Sequence, residues 1–285
     1  MTDRFSKTFP LFFVLLWSTG FIGARLGLPH IEPLTFLLIR YLLVIGAMTL
    51  IAVLTRAVWP KTPQEWMHIG IAGLLVHGVS LGGVFIAISK GLPAGVASLV
   101  VGVQPLLTAV GAGWLLGETV LKRQWLGLLL GLVGVALVVA NKIGGGFGMA
   151  ALVPAIAALL GITAGTLYQK RFCPSFDWRT GAVAQFVPTA IVTGLLAWWL
   201  ETGKVDWTGE LVFAMGWLVL VLSLGAISLL NWLIRNSNAV NIASLFYLVP
   251  PCTAVFAWLL FGETFAGITL LGMVLTVGGV YLARK

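Results

Sequence analysis

The sequence predicts an all-α integral membrane protein of ten transmembrane helices, arranged as two inverted five-helix repeats with both termini cytoplasmic. Three observations predict it. Hydrophobic residues make up 59% of the chain and charged residues only 9%, too little polar surface to cover a soluble globule of this length. Apolar stretches of about 18 to 24 residues recur between charge and turn clusters, each long enough to cross a hydrocarbon core of roughly 30 Å as a helix. One passage is also written twice, 145 residues apart: Leu115, Gly117, Glu118, Thr119, Leu126, Gly127, Leu130, Gly134, Val135 and Leu137 match Leu260, Gly262, Glu263, Thr264, Leu271, Gly272, Leu275, Gly279, Val280 and Leu282. At the same offset Pro105 meets Pro250, Arg25 meets Lys170 and Arg40 meets Gln185.

The spans run approximately from Phe9 to Gly27, Leu34 to Thr55, Trp66 to Ser89, Ala94 to Leu116, Trp125 to Ala140, Met149 to Tyr168, Thr180 to Leu200, Leu211 to Ile234, Val240 to Phe261 and Phe265 to Leu282. The first is taken as a mature helix, because no small-residue cleavage site precedes the Pro29 turn. Connections at Pro29 to Pro33, Gly91 to Pro93 and Gly262 to Thr264 are short and rich in turn and cap residues, which makes their flanking helices antiparallel neighbours. Lys and Arg set the orientation. Arg4, Lys7, Arg56, Lys61, Lys122, Arg123, Lys170, Arg171, Arg179, Arg235, Arg284 and Lys285 fall on one side, against Lys90, Lys142 and Lys204 on the other. The positive-inside rule then puts both termini in the cytoplasm of a multi-pass cell-membrane protein (inner or plasma membrane). Five spans per half is odd, so residues 143–285 enter the bilayer inverted relative to residues 1–142. The net charge of +8 is accounted for by cytoplasmic helix ends, and nucleic acid is not an expected partner.

Several strings together resemble the EamA-type drug/metabolite transporter superfamily: WSTGFIGARLGLP in the first span, PLTFLLIRYLL in the second, ASLVVGVQPLLTAVGAGWLLGE in the fourth and its counterpart ASLFYLVPPCTAVFAWLLFGE in the ninth. The resemblance covers essentially the whole chain. It implies a secondary carrier, often an exporter of amino acids, other small metabolites or drugs, with its path between the two halves. Its partners would be a small-molecule substrate and the lipid bilayer.

Polar residues inside the spans are the candidates for that path. His77 is the one titrating side chain near mid-span, where an ionisable group normally faces protein or a water-filled cavity. It is a candidate for hydrogen bonding to substrate or for proton coupling, with a neutral packed imidazole as the alternative. Arg40 lies about two turns inside the second span; it can anchor a helix or grip a carboxylate bidentately, and its repeat partner Gln185 is neutral. Gln104 beside Pro105, and Tyr247 before Pro250, sit where proline removes a backbone donor and frees a carbonyl one turn back, so both prolines mark a hinge or kink. Trp17, Ser18, Thr163, Asn231 and Ser244 could add polar or aromatic lining, although such residues routinely bond across membrane helices for packing alone. Glu118 and Glu263 each follow a glycine at a helix junction, where the helix dipole favours an anion; they are assigned a structural capping role, with Lys122 in i,i+4 position to Glu118.

Gly78-Val79-Ser80-Leu81-Gly82 formally matches G-x-S-x-G beside His77, the alternative being an intramembrane enzyme. That motif requires a strand-to-helix turn, whereas this string lies inside an apolar span. No sequence pattern suggests a cofactor, zinc or ATP hydrolysis, and a channel or scaffold lacks a repeated filter.

Overall fold

The computed structural model describes residues 8–92, 94–140, 148–173, 175–261 and 266–284. These form the helices α1 (Phe9–Gly27), α2 (Pro33–Leu54), α3 (Pro63–Ser89), α4 (Ala94–Val101 and Gln104–Leu116), α5 (Lys122–Val139), α6 (Met149–Phe172), α7 (Trp178–Leu200), α8 (Gly209–Asn236), α9 (Ala239–Leu245, then Val249–Phe261) and α10 (Gly267–Arg284). Among the described residues, eight of them are long and apolar enough to cross a membrane. The exposed surface is itself apolar, with Leu54, Val274, Leu220 and Leu195 more than half exposed on separate helices. Trp114, Trp198 and Trp199 project near helix ends, the level at which amphipathic rings meet headgroups.

Local chemistry fixes where the helices begin. Pro33 and Pro63 occupy first turns, where the missing N–H is not needed. Thr62, Asp177, Thr208 and Asn238 accept hydrogen bonds from the first-turn amides of α3, α7, α8 and α9. The Thr62 cap lets α3 begin at Pro63, ahead of its apolar run; α6 likewise continues to Phe172 and α5 starts at Lys122. That start leaves Glu118 outside the helix, so the anticipated i,i+4 pairing with Lys122 does not apply. The Glu118 carboxylate instead accepts the backbone N–H of Ala239, at 3.0 and 3.1 Å, capping α9 across 121 residues of chain. Glu263 lies outside the described residues.

Carboxylates also fasten the loops to helices of the opposite half. Glu201, after α7, accepts the Leu34 and Thr35 amides at the start of α2, both at 2.7 Å. Glu32 accepts from Thr202 and Gly203, and Ile31 bridges Val205. Hydrogen bonds, first from the Thr202 hydroxyl and then from backbone amides, hold the Glu32 carboxyl below the ordinary value. At the repeat-equivalent junction, Asp177 accepts from the Arg179 backbone and guanidinium, and Thr180 donates to the Val58 carbonyl at 2.7 Å.

Helix pairs meet backbone to backbone at glycine. A Cβ at Gly127 would lie 2.6 Å from the Gly279 carbonyl and one at Gly272 would lie 2.6 Å from the Gly134 carbonyl, reciprocal contacts between α5 and α10. Gly161 and Gly165 press against α3, and Gly23 and Gly27 against Leu218 and Phe36. Gly82 meets nothing within 4 Å, so Gly78 and Gly82 do not act together as a close-approach ridge.

The backbone departs from α-geometry at matched places. Leu74–Leu81 of α3 and Leu218–Ala226 of α8 are π-helical, and the two segments overlap at the 145-residue offset. Helix α4 is interrupted at residues 102–103 and α9 at Phe246–Leu248, a 3-10 turn; these too coincide at that offset, each ahead of its proline. Loosened ladders leave carbonyls for side chains to take up: Tyr41 Oη donates to the His77 carbonyl at 2.8 Å, and Ser223 Oγ to the Leu218 carbonyl at 3.1 Å.

Two tests follow from these contacts. Gly134→Ala places a methyl group against Thr276 and the Gly272 carbonyl, and should destabilise the detergent-solubilised protein by about 1–3 kcal/mol. Gly278→Ala, with open space around it, should leave the thermal midpoint unchanged or raise it. The Arg179 guanidinium, ahead of an opposing effect of burial, holds the Asp177 carboxyl below its ordinary range. Its contribution is therefore complete above the unfolded pKa and disappears as pH falls through the folded one. The thermal-midpoint gap between wild type and Asp177→Asn should be full at pH 7 and close as pH drops below about 4.

Candidate functional site

A small cavity of about 50 Å³ lies among α1, α2, α3, α4, α6, α8 and α9. Trp17 and Ile162 border it, as do Val101 and Phe246; each pair is separated by 145 residues, so the cavity straddles the relation between the two halves. Val101 and Phe246 are also the residues four positions before Pro105 and Pro250. Proline supplies no N–H to the carbonyl at that spacing. The Phe246 carbonyl is taken instead by the Val249 amide in the 3-10 turn. The Trp17 and Phe246 rings meet edge to face at 5.4 Å. Most of the remaining wall is apolar, from Phe21, Phe85, Val84, Leu222 and Ile227.

Arg40 and Ser80 supply the polar wall. Arg40 is 1% exposed. Among the described residues its side chain makes one hydrogen bond, from Nε to Ser223 Oγ at 3.0 Å, and no carboxylate pairs with it. A guanidinium keeps its charge under all physiological conditions and carries five N–H donors. Its outer fork is therefore left for whatever occupies the cavity.

A chain of side-chain hydrogen bonds includes Gln185, Gln169 and His77, the 145-residue counterparts of the cavity residues Arg40, Ala24 and Leu222. His77 Nε2 meets Gln185 Oε1 at 3.4 Å, Gln185 Nε2 donates to Gln169 Oε1 at 2.9 Å, and Gln169 Nε2 donates to Asn231 Oδ1 at 2.8 Å. The chain links α3, α7, α6 and α8. Because Gln185 uses its amide nitrogen on Gln169, its oxygen accepts, and His77 is the donor through Nε2. The imidazole stacks on Phe186 at 4.3 Å. Farther along, Lys170 Nζ donates to the carbonyls of Ile234 and Ser237 at the end of α8. A water-sized space of about 10 Å³ there is bordered by Gln104, Thr166 and Lys170, and Gln104 Oε1, Thr108 Oγ1, Asn231 Nδ2 and Tyr247 Oη are buried without a partner among the described residues.

The residues singled out from sequence thus separate into groups. Trp17 and Arg40 line the cavity. His77, Gln185 and Asn231 belong to the amide chain and are not on its wall. Gln104 and Tyr247 are buried, with the Tyr247 ring packed where a Cβ on Gly131 would otherwise go. Ser18 Oγ bonds the Val14 carbonyl at 2.7 Å and the Val249 carbonyl at 3.3 Å, while Thr253 Oγ1 donates to the Ser18 carbonyl, stitching α1 to α9. Thr163 and Ser244 return their hydroxyls to carbonyls of their own helices. Pro105 and Pro250 stand just after the two helix interruptions. Sequence reasoning passed over Ser223, Gln169 and Phe186. Gln169 adjoins the basic loop, and only the continuation of α6 to Phe172 puts it inside the protein; Ser223 was detectable as the lone polar residue in the run Leu218–Leu222 to Leu224.

Residues 8–140 and 149–284 each match the model of the family described as EamA-like transporter family. The chain is 27% identical to the "Probable amino-acid metabolite efflux pump" of Salmonella typhimurium, over 95% of this chain and 92% of that protein. It is 26% identical to an uncharacterized transporter of Bacillus subtilis, over 96% and 89%. A solved crystal structure shares the fold with a TM-score of 0.81 at 22% identity, covering 98% of this chain and 96% of that one.

Proposed function

The chain belongs to the EamA-like transporter family, a multi-pass membrane transporter, and we propose that it is a secondary carrier exporting a small amphipathic metabolite by alternating access. In this reading residues 1–142 and 143–285 are inverted five-helix halves, α1 to α10 all span the bilayer, and both termini are cytoplasmic by the bias of Lys and Arg. The two-fold match of the family model supports the division, and the matched π segments and helix interruptions support a common ancestry of the halves. The Salmonella relative is named a probable amino-acid metabolite efflux pump, which supports export as the direction of transport.

The observation that carries the proposal is Arg40, which has no carboxylate partner among the described residues, in a cavity bordered by repeat-equivalent residues from both halves. A buried cation without a counter-charge is costly, and a site that a substrate anion neutralises only while bound gives that cost a purpose. The cavity's small volume, about 50 Å³, fits a closed arrangement that has to widen to admit a solute. An enzyme reading is less well supported: Ser80 reaches the cavity, but the His77 ring is stacked on Phe186 and bonded to Gln185, so no base accompanies the hydroxyl.

Proteoliposomes holding the purified protein should release a labelled amphipathic solute faster than protein-free vesicles, and Arg40→Gln should lower that flux by about tenfold or more, as expected for a lost charge-assisted bond. Absence of flux across a broad metabolite panel would overturn the carrier assignment. His77 lies off the cavity wall, so geometry does not favour it as the coupling group. His77→Gln should keep the pH dependence of flux, and a profile flattened by that substitution would reinstate it as a proton carrier.

A further inference from the structure

We propose that the cavity selects an organic monoanion with an apolar or aromatic body, a carboxylate without an ammonium group, and discriminates against the zwitterionic amino acid of the same shape. The inference rests on the carrier reading above and deepens it. Its basis is the balance of donors and acceptors on the wall. Donors for an anion are present: the outer fork of Arg40 is unused among the described residues, and Ser80, 5% exposed, lies on the same wall. A planar guanidinium fork matches a carboxylate bidentately. The body of such a solute would meet Trp17, Phe21, Phe85 and Phe246, surfaces that reward apolar and aromatic groups.

Acceptors for an ammonium are nearly lacking. Among the described residues no Asp or Glu borders the cavity, and each described carboxylate falls in a loop or at a helix end. The proline at 105 leaves the Val101 carbonyl without its usual donor, but the corresponding Phe246 carbonyl is already bonded to Val249. A carbonyl deprived of its proline donor and the Ser80 hydroxyl, both neutral, do not replace a carboxylate as partner for three N–H donors and a full charge. An ammonium would also share a water-poor space with Arg40, and like charges repel strongly there. Contact with the aromatic faces is too weak to offset both effects. A site specifies a ligand as much by the group it leaves unpaired as by the group it binds.

Three probes of one shape separate the possibilities: 3-phenylpropionate, phenylalanine and phenethylammonium, each titrated against the purified full chain in nanodiscs of neutral lipid. The readouts are the thermal midpoint, which rises for a ligand that binds the folded state, and intrinsic tryptophan fluorescence, to which Trp17 contributes. Phenylpropionate should raise the midpoint with a half-saturating concentration at least about tenfold below that of phenylalanine, and phenethylammonium should leave it unchanged. Arg40→Gln should abolish the response and Arg40→Lys should weaken it. If Arg40 variants do not fold, Ser80→Ala should still weaken phenylpropionate binding several-fold without changing the order of the three probes.

Phenylalanine binding as well as phenylpropionate, or an anion response that survives Arg40→Gln, overturns the inference. Binding of none of the probes by a protein that still moves another solute in proteoliposomes defeats the inference and leaves the carrier intact. Arg40-dependent anion binding without flux of any solute does the reverse.

Discussion

Hydrocarbon offers no hydrogen bonds, so every polar group carried into the bilayer has to find its partner within the protein. That constraint organises most of the structure. Thr163, Thr166, Thr189 and Thr276 return their hydroxyls to carbonyls one turn back on their own helices. Tyr41 and Ser223 occupy carbonyls in or beside the π segments. Glu118, Glu201 and Lys170 satisfy the free ends of α9, α2 and α8 from other parts of the chain. The same side chains that pair these groups therefore also determine which helices are neighbours. Against that background Arg40 stands out, because it is the most strongly polar side chain inside the spans and only one edge of it is engaged.

Backbone and side chains use the duplication differently. At the backbone level the halves agree: π segments, interruptions and glycine contacts recur at one offset. Side chains then depart from that agreement around the cavity. Arg40 corresponds to Gln185, Leu222 to His77 and Ala24 to Gln169. One set of positions carries a chain of hydrogen-bonded amides; the other forms part of a mostly apolar wall with a single cation among the described residues. A repeated scaffold thus holds an asymmetric cavity, the arrangement that the proposed carrier of an unsymmetrical solute would need.

Much of this was legible in the sequence, because the solvent imposes simple rules. Length and apolarity located the helices, and their ends drifted by a few residues wherever a cap such as Thr62, Thr208 or Asn238 extended a helix past its apolar run. Glycine and proline marked the interruptions in α4 and α9. The π segments left no mark, since adding a residue to a turn does not alter an already continuous apolar run. Partners were harder to foresee than positions. Glu118 was recognisable as a capping carboxylate, but the helix it caps lies 121 residues away and could not be inferred from local spacing. His77 was conspicuous as an ionisable residue at mid-span, yet its role depends on Phe186 and Gln185, which only the packing of α3 on α7 brings to it. Arg40 was identifiable in both senses proposed for it, and the lack of a carboxylate partner among the described residues is the fact that required coordinates.

The distribution of close contacts also bears on how such a protein would move. Helices α5 and α10 touch through reciprocal glycine-to-backbone contacts at Gly127, Gly134, Gly272 and Gly279. Atoms that close leave no room for sliding, because packed interfaces shift between discrete arrangements rather than deform continuously. Helices α3, α4, α8 and α9, in contrast, carry the π segments and the interruptions, where fewer regular backbone bonds resist bending. Trp17, Ser80, Val101, Leu222 and Phe246 on the cavity wall belong to these four helices or pack directly against them. If access alternates as proposed, α5 and α10 supply the fixed reference, and the irregular turns of α3 and α8 are the places where the wall can open without breaking a helix.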